Sequence, residues 1–136
     1  MRGQHILIVD DEEKLVNMMD YLLVKNGYRV STSLNAHDAL IKIKNVHERG
    51  ESIDLLITDI VMPEMTGFEL IDEIQKSGLR MKTMAISGKL KKGGDAELAN
   101  KGFNGYLSKP FGPMQLVEEI REVMRGKELS RQRSTV

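Results

Sequence analysis

The feature that most constrains the fold is a fivefold alternation of short apolar runs with longer amphipathic segments. The apolar runs are typical of buried strands, and the segments between them repeat apolar residues at helical spacing. Strands that alternate with helices form right-handed crossovers. The pattern therefore predicts an α/β fold, a doubly wound five-stranded parallel sheet with helices on both faces. The predicted strands are 5–9, 28–33, 55–58, 81–87 and 105–108.

The predicted helices differ in the strength of their apolar faces. Side chains that could cap a helix precede the second and third helices, Asn35 and Thr66, and the last helix starts at Pro113. The helix predicted over 95–101 has the poorest apolar face, so we expect low local stability there. The first helix carries a clear apolar stripe, formed by Leu15, Met18, Met19, Leu22 and Leu23.

Length and composition exclude several classes of protein. The 136 residues suit one domain, predicted over 1–125, with a flexible polar tail at 126–136. Lys+Arg and Asp+Glu are equal at 20 each, so the charge balance indicates neither a nucleic-acid partner nor a membrane surface. The chain has no Cys, lacks a signal-peptide pattern and has no apolar run near the ~20 residues of a membrane span. We expect a soluble cytoplasmic protein.

Polar side chains follow four of the predicted strands at the point where each strand ends. Asp10 and Asp11 follow the first strand, Asp59 the third, Ser87 the fourth and Lys109 the fifth. An isolated acidic residue after a strand usually caps a turn, and an isolated Lys is usually a surface charge. Ligands of doubly wound sheets bind beyond the carboxyl ends of the strands, so we expect these five side chains to form one site.

The residue types in this set favour phosphoryl-transfer chemistry. Three converging carboxylates repel one another, and an all-oxygen set without His or Cys selects a hard cation such as Mg²⁺. A carboxylate beside Mg²⁺, an ammonium and a hydroxyl can accept a phosphoryl group. Asp59 is the predicted attacking group, with Lys109 and Ser87 contacting the transferred oxygens.

The motifs resemble the receiver domain of two-component response regulators over roughly residues 5–125. The resemblance implies a flavodoxin-like strand order, 2-1-3-4-5. The motifs that carry it are Ile8-Val9-Asp10-Asp11-Glu12, Asp59 with Met62-Pro63 and Gly67, Ser87 after an aliphatic strand, and Tyr106-Leu107-Ser108-Lys109-Pro110-Phe111.

The resemblance also implies a role for each site residue. Asp59 would be the phosphoacceptor, and Lys109 would contact the phosphoryl group. The bond between Lys109 and Pro110 would be cis. Ser87 and Tyr106 would form a switch pair that changes the surface near the fourth helix and fifth strand. The implied magnesium ligands are Asp10, Asp11, Asp59 and the backbone carbonyl of Val61.

The implied partners are proteins. The phosphoryl donor would be a sensor histidine kinase or a histidine phosphotransfer protein, in a two-component or phosphorelay pathway. Output would pass to a downstream protein that the sequence does not identify, without direct contact with nucleic acid or membrane. The chain would catalyse only its own phosphorylation and dephosphorylation, so we do not expect a turnover enzyme.

Three other functions are compatible with an α/β fold of this kind. An aspartyl-phosphate phosphatase usually needs a second Asp two residues after the nucleophile, where this chain has Val61. A cofactor binder would need backbone N–H groups free for phosphate after the first strand, where this chain has acidic residues. A non-phosphorylated interaction module on the same fold is the remaining alternative. The three histidines lack metal-ligand spacing and are expected to face solvent: His5, His37 and His47.

Overall fold

A computed structural model describes residues 3–88 and 94–129 of the chain. Strands and helices alternate along it from the first strand to the last helix. In chain order the elements are β1 His5–Val9, α1 Glu13–Lys25, β2 Arg29–Ser33, α2 Ala36–Glu48, β3 Leu55–Asp59, α3 Gly67–Lys76, β4 Lys82–Ser87, α4 Gly94–Lys101, β5 Gly105–Ser108 and α5 Pro113–Met124.

The five strands form one parallel sheet in the order β2-β1-β3-β4-β5. The predicted fold class and strand order are therefore confirmed. β1 and β3 occupy the centre, and all five residues of each are buried, which explains their continuous apolar runs. The carboxyl ends of β1, β3, β4 and β5 consequently meet at one edge of the sheet, beside the connections that follow them.

The sheet separates two hydrophobic cores. Successive side chains of a strand point to opposite faces, so Leu7 and Leu56 enter one core while Ile6 and Ile57 enter the other. The first core also contains side chains of α2, α3 and α4, and the second contains side chains of α1 and α5. The sheet is thus covered on both faces, as the alternation of elements predicts.

Side-chain caps begin two of the helices, α2 and α3. The Asn35 side chain accepts a hydrogen bond of 2.8 Å from the amide of Asp38 at the start of α2. At α3, Thr66 accepts from the amide of Glu69 at 3.2 Å, and the Glu69 carboxylate accepts from the amide of Thr66 at 2.9 Å. These caps satisfy amides that have no partner within the helix and fix where α2 and α3 begin.

Two expectations about burial are wrong. Met18, predicted within the buried stripe of α1, is 39% exposed, because α1 packs on the sheet through Val16, Met19 and Leu23. His5, expected to face solvent, is 6% exposed, and its ring Nε2 lies 2.7 Å from the Ser31 hydroxyl on β2. His5 is the first residue of a central strand, and the neighbouring strands cover it on either side. The expected exposure of His37 and His47 is confirmed.

The segment after α5 contacts the body of the domain over its first residues. Lys127 Nζ lies 2.8 Å from a carboxylate oxygen of Glu119, and Leu129 packs against the core beside α4. Residues 89–93 lie outside the described residues, and so do residues 130–136, the rest of the predicted tail. The boundary at 125 and the flexible tail remain predictions. No helix in the described part of the chain is long and apolar enough to cross a membrane.

Candidate functional site: an acidic cluster around Lys109

Three carboxylates meet at the carboxyl edge of the sheet. Asp10 follows β1 directly, Asp11 is the next residue, and Asp59 is the last residue of β3. One oxygen from each lies within 4.8 Å of the others. Asp10 is fully buried and Asp59 is 6% exposed, whereas Asp11 faces solvent. The cluster is therefore anchored in the sheet on one side and open to solvent on the other.

The backbone around Asp59 is held from three directions. The Thr58 hydroxyl, fully buried, donates to the Asp59 carbonyl at 2.9 Å. The amide of Val61 donates to Oδ1 of the Asp59 side chain at 3.1 Å. Gly67, the first residue of α3, packs so closely that a Cβ atom there would lie 2.5 Å from the Asp59 carbonyl oxygen. The turn between them contains Glu64 at φ 69, a conformation that a non-glycine residue adopts at an energetic cost.

Lys109 lies at the centre of the acidic groups. Its ammonium is 2.9 Å from Oδ2 of Asp10, 3.0 Å from Oδ2 of Asp59 and 2.9 Å from Oε1 of Glu12. The amide of Lys109 donates to the carbonyl of Ser87 at 2.9 Å, which ties the end of β5 to the end of β4. The bond between Lys109 and Pro110 is cis, which confirms that expectation.

Burial and charge act in opposite directions on the pKa values of Asp10 and Lys109. Burial raises the pKa of Asp10, and the contact with the Lys109 ammonium and the hydrogen bond from the amide of Glu12 partly offset the rise. Burial alone would lower the pKa of Lys109, but the contacts with the carboxylates of Asp10, Glu12 and Asp59 outweigh it and raise the pKa. Lys109 is therefore a permanent cation that balances only part of the surrounding negative charge.

Ser87 and Tyr106 lie on adjacent strands beside this cluster. Ser87, at the end of β4, is 3% exposed, and Tyr106 on β5 is half-buried. The Tyr106 hydroxyl donates to the carbonyl of Ser87 at 3.4 Å. The same carbonyl accepts the amide of Lys109, so one backbone oxygen connects the aromatic side chain to the cation at the acidic cluster.

The donor set fits a hard divalent cation. Asp10, Asp11 and Asp59 supply oxygen ligands, the type that Mg²⁺ prefers, and their grouping matches the three side-chain ligands expected from the sequence. The site contains four carboxylates when Glu12 is included, and Lys109 contacts three of them, so the site has an excess of negative charge. Coordination through the Val61 carbonyl stays a prediction.

Sequence reasoning missed two acidic residues near the site. Glu12 pairs with Lys109, and the Glu119 side chain on α5 accepts from the amide of Tyr106 at 3.2 Å. Glu12 directly follows the acidic pair and precedes α1, where Ser, Thr, Asp or Asn is the usual cap. That unusual residue type is the one available signal. Nothing in the sequence distinguishes Glu119 from the other acidic residues of α5.

Comparison with known proteins agrees with this fold and site. A family model described as the response regulator receiver domain matches residues 6–121. The response regulator SaeR of Staphylococcus aureus is 28% identical over 120 residues, covering 88% of this chain and 50% of that protein. The chain therefore spans about half the length of the curated relatives it matches.

Two solved structures share the fold, and this chain covers nearly the whole length of each. A receiver domain protein from Methanospirillum hungatei, described as CheY-like, is 31% identical with a TM-score of 0.79, and the match covers 90% of this chain and 94% of that one. The chemotaxis protein CheY4 of Vibrio cholerae is 27% identical with a TM-score of 0.80, covering 89% and 98%. The chain belongs to the receiver domain family of two-component response regulators.

Proposed function

We propose that this receiver accepts a phosphoryl group on Asp59 and transmits the change to the surface formed by α4 and β5. In the reaction, an Asp59 oxygen forms a bond to phosphorus as the bond between phosphorus and a histidine nitrogen of the donor breaks. The electron pair of the broken bond stays on that nitrogen. The donor is a sensor histidine kinase or a histidine phosphotransfer protein, in keeping with the family.

The observation that carries this proposal is the position of Asp59 against Lys109. Asp59 is nearly buried yet borders an open acidic cluster, and its Oδ2 lies 3.0 Å from the Lys109 ammonium. An ammonium at that distance can stabilise negative charge on a phosphoryl group attached to Asp59. Thr58 and Gly67 hold the backbone of Asp59, and the amide of Val61 donates to Oδ1 of its carboxylate, so little reorganisation is needed when the donor arrives.

A metal ion belongs to the proposed chemistry. Mg²⁺ bound by Asp10, Asp11, Asp59 and the Val61 carbonyl would neutralise charge on the transferring phosphoryl oxygens. Asp10 also holds Lys109 in place, and Glu12 adds a further contact to the same cation. The chain's own contribution is thus to orient Asp59 and to keep an ammonium next to it.

The proposed readout uses Ser87 and Tyr106. A phosphoryl group on Asp59 adds charge and acceptor oxygens that can attract the Ser87 hydroxyl. Tyr106 already contacts the Ser87 carbonyl, so a movement at the end of β4 reaches the half-buried ring directly. α4 buries only Leu98 and Ala99, which makes it the element best able to respond.

Intact mass measured after incubation with a small phosphodonor tests the assignment. Wild type is expected to gain one phosphoryl group in the presence of Mg²⁺, and Asp59→Asn is expected to gain none. The matched control is Asp54→Asn, because Asp54 lies at the opposite end of β3, where it accepts from the His5 amide at 2.7 Å. Absence of an adduct in wild type that binds Mg²⁺ would favour a non-phosphorylated interaction module.

A further inference from the structure

The side chain of Glu12 has an unusual position for the residue that precedes a helix. Glu12 is the N-cap residue of α1, yet its side chain makes no capping hydrogen bond. In contrast, Asn35 and Thr66 at the starts of α2 and α3 use their side chains to accept helix amides. Glu12 instead directs its carboxylate to Lys109, at 2.9 Å.

Glu12 is one of two carboxylates to which the Lys109 ammonium donates a hydrogen bond, and the other is Asp59. A lysine ammonium has three N–H donors, and three carboxylates lie within reach of it, those of Asp10, Glu12 and Asp59. The contact with Asp10, at 2.9 Å, is an ion pair without hydrogen-bond geometry. The three carboxylates enclose the ammonium, so a phosphoryl oxygen on Asp59 can approach Lys109 only if one of them moves away.

Glu12 is the contact that is released at the lowest cost. Asp10 is fully buried, and separating it from Lys109 would leave a buried carboxylate without its cation. Asp59 carries the phosphoryl group itself. The Glu12 side chain is 62% exposed, so its carboxylate regains water when it leaves, and exposed ion pairs contribute little.

We propose that Glu12 is a positioning residue. In the resting protein its carboxylate accepts from the N–H donor of Lys109 that binds the phosphoryl group after phosphorylation. The inference rests on the proposed phosphoacceptor function and adds that Glu12 competes with the phosphoryl group for Lys109. Glu12 keeps the ammonium in place before phosphorylation. It also opposes entry and retention of the phosphoryl group, since both must displace it.

Matched variants separate the effect of the contact between Glu12 and Lys109 from the effect of one negative charge. Glu12→Gln removes one negative charge and weakens the contact with Lys109. Glu13→Gln removes the same charge from the next residue, which is the acidic residue in the first turn of α1; among the described residues no ion pair joins Glu13 to Lys109. Glu12→Asp keeps the charge, but an Asp at this position can cap α1 and withdraw from Lys109.

The decisive measurement is the affinity for beryllofluoride, a non-covalent phosphoryl mimic, in saturating Mg²⁺, followed by fluorine NMR. Glu12→Gln and Glu12→Asp are expected to bind it about two- to fivefold more tightly than wild type, the range that an exposed ion pair contributes. Glu13→Gln is expected to stay closer to wild type than either. The phosphorylated forms of the two Glu12 variants are expected to lose the phosphoryl group more slowly than wild type.

Several results would overturn the inference. If Glu12→Asp had the wild-type affinity for beryllofluoride and Glu12→Gln had the affinity of Glu13→Gln, the loss of a negative charge alone would explain the change in affinity. Glu12 would instead be a metal ligand if Glu12→Gln lost Mg²⁺ affinity by about tenfold or more in calorimetry while Glu13→Gln did not. Lys109 would offer no place to a phosphoryl oxygen if no variant bound beryllofluoride.

Failure of the phosphoacceptor function gives a different pattern. A wild type that binds beryllofluoride but gains no phosphoryl group from a small donor would contradict the proposed function. The affinities of the Glu12 variants for beryllofluoride would still decide whether the carboxylate competes for Lys109.

Discussion

Gly67 allows α3 to begin directly against the backbone of Asp59, because its side chain is a single hydrogen. A Cβ atom at this position would lie 2.5 Å from the Asp59 carbonyl oxygen and 3.0 Å from the Ile60 Cα, and neither backbone atom can move aside easily. Gly67→Ala is therefore expected to lower the free energy of unfolding by about 1–3 kcal/mol, as overpacked sites do. It should also slow phosphorylation, because Asp59 must shift. Chemical denaturation and the phosphodonor assay measure the two effects.

The control for this prediction is Gly112→Ala at the start of α5. There the nearest atom to an added Cβ is the end of the Gln115 side chain, at 3.7 Å, an ordinary contact. Its effect on the free energy of unfolding is expected to stay below about 1 kcal/mol. Equal losses in the two variants would mean that the close approach at Gly67 carries no special constraint.

For individual residues, the sequence predicts which side chains lie at strand ends better than it predicts contacts between exposed side chains. Asp10, Asp59 and Lys109 each stand at the carboxyl end of a strand, and parallel strands bring those ends to one edge. Glu12 and Lys109 are separated by 97 residues, and an exposed Glu has many possible partners. In the folded protein the Glu12 carboxylate contacts Lys109 instead of capping α1, and no local pattern in the sequence indicates this.

Among the elements, α4 combines a short length with a small buried face. It has 8 residues and buries Leu98 and Ala99, whereas α1 has 13 residues and buries Val16, Met19 and Leu23. Short helices depend on packing for their stability. The amides of 98–101 are therefore expected to exchange with solvent faster than those in the middle of α1, as hydrogen-exchange NMR can measure. Exchange in α4 as slow as in α1 would contradict its proposed role as the responsive element.

The same comparison of helices shows what periodicity predicts and what it does not. The apolar spacing of α1 correctly predicts a helix that packs on the sheet, but it places Met18 in the core, where the structure has Val16. An apolar stripe wider than the contact surface leaves the exact orientation of the helix open. The sheet and α5 determine that orientation, and neither is visible in the local pattern.

Over the whole molecule, the fold concentrates like charges that the unfolded chain keeps apart. Asp10 and Asp11 are adjacent in the chain, whereas Asp59 is far from them, and folding brings one oxygen of each within 4.8 Å of the others. Repulsion among them opposes folding, and Lys109 offsets only part of it. A cation that binds this cluster therefore binds the folded protein and not the unfolded chain.

Stability is consequently expected to depend on magnesium. Mg²⁺ at one hundred times its dissociation constant should raise the free energy of unfolding by about 2.7 kcal/mol, because the ligand binds only the folded state. Thermal unfolding with and without chelator measures the effect. Asp11→Asn is the informative variant, since Asp11 is exposed and its replacement removes a proposed ligand without opening a cavity. The rise should be smaller in Asp11→Asn at the same concentration and should persist in Glu13→Gln. An equal rise in all three proteins would place the bound cation elsewhere on the molecule.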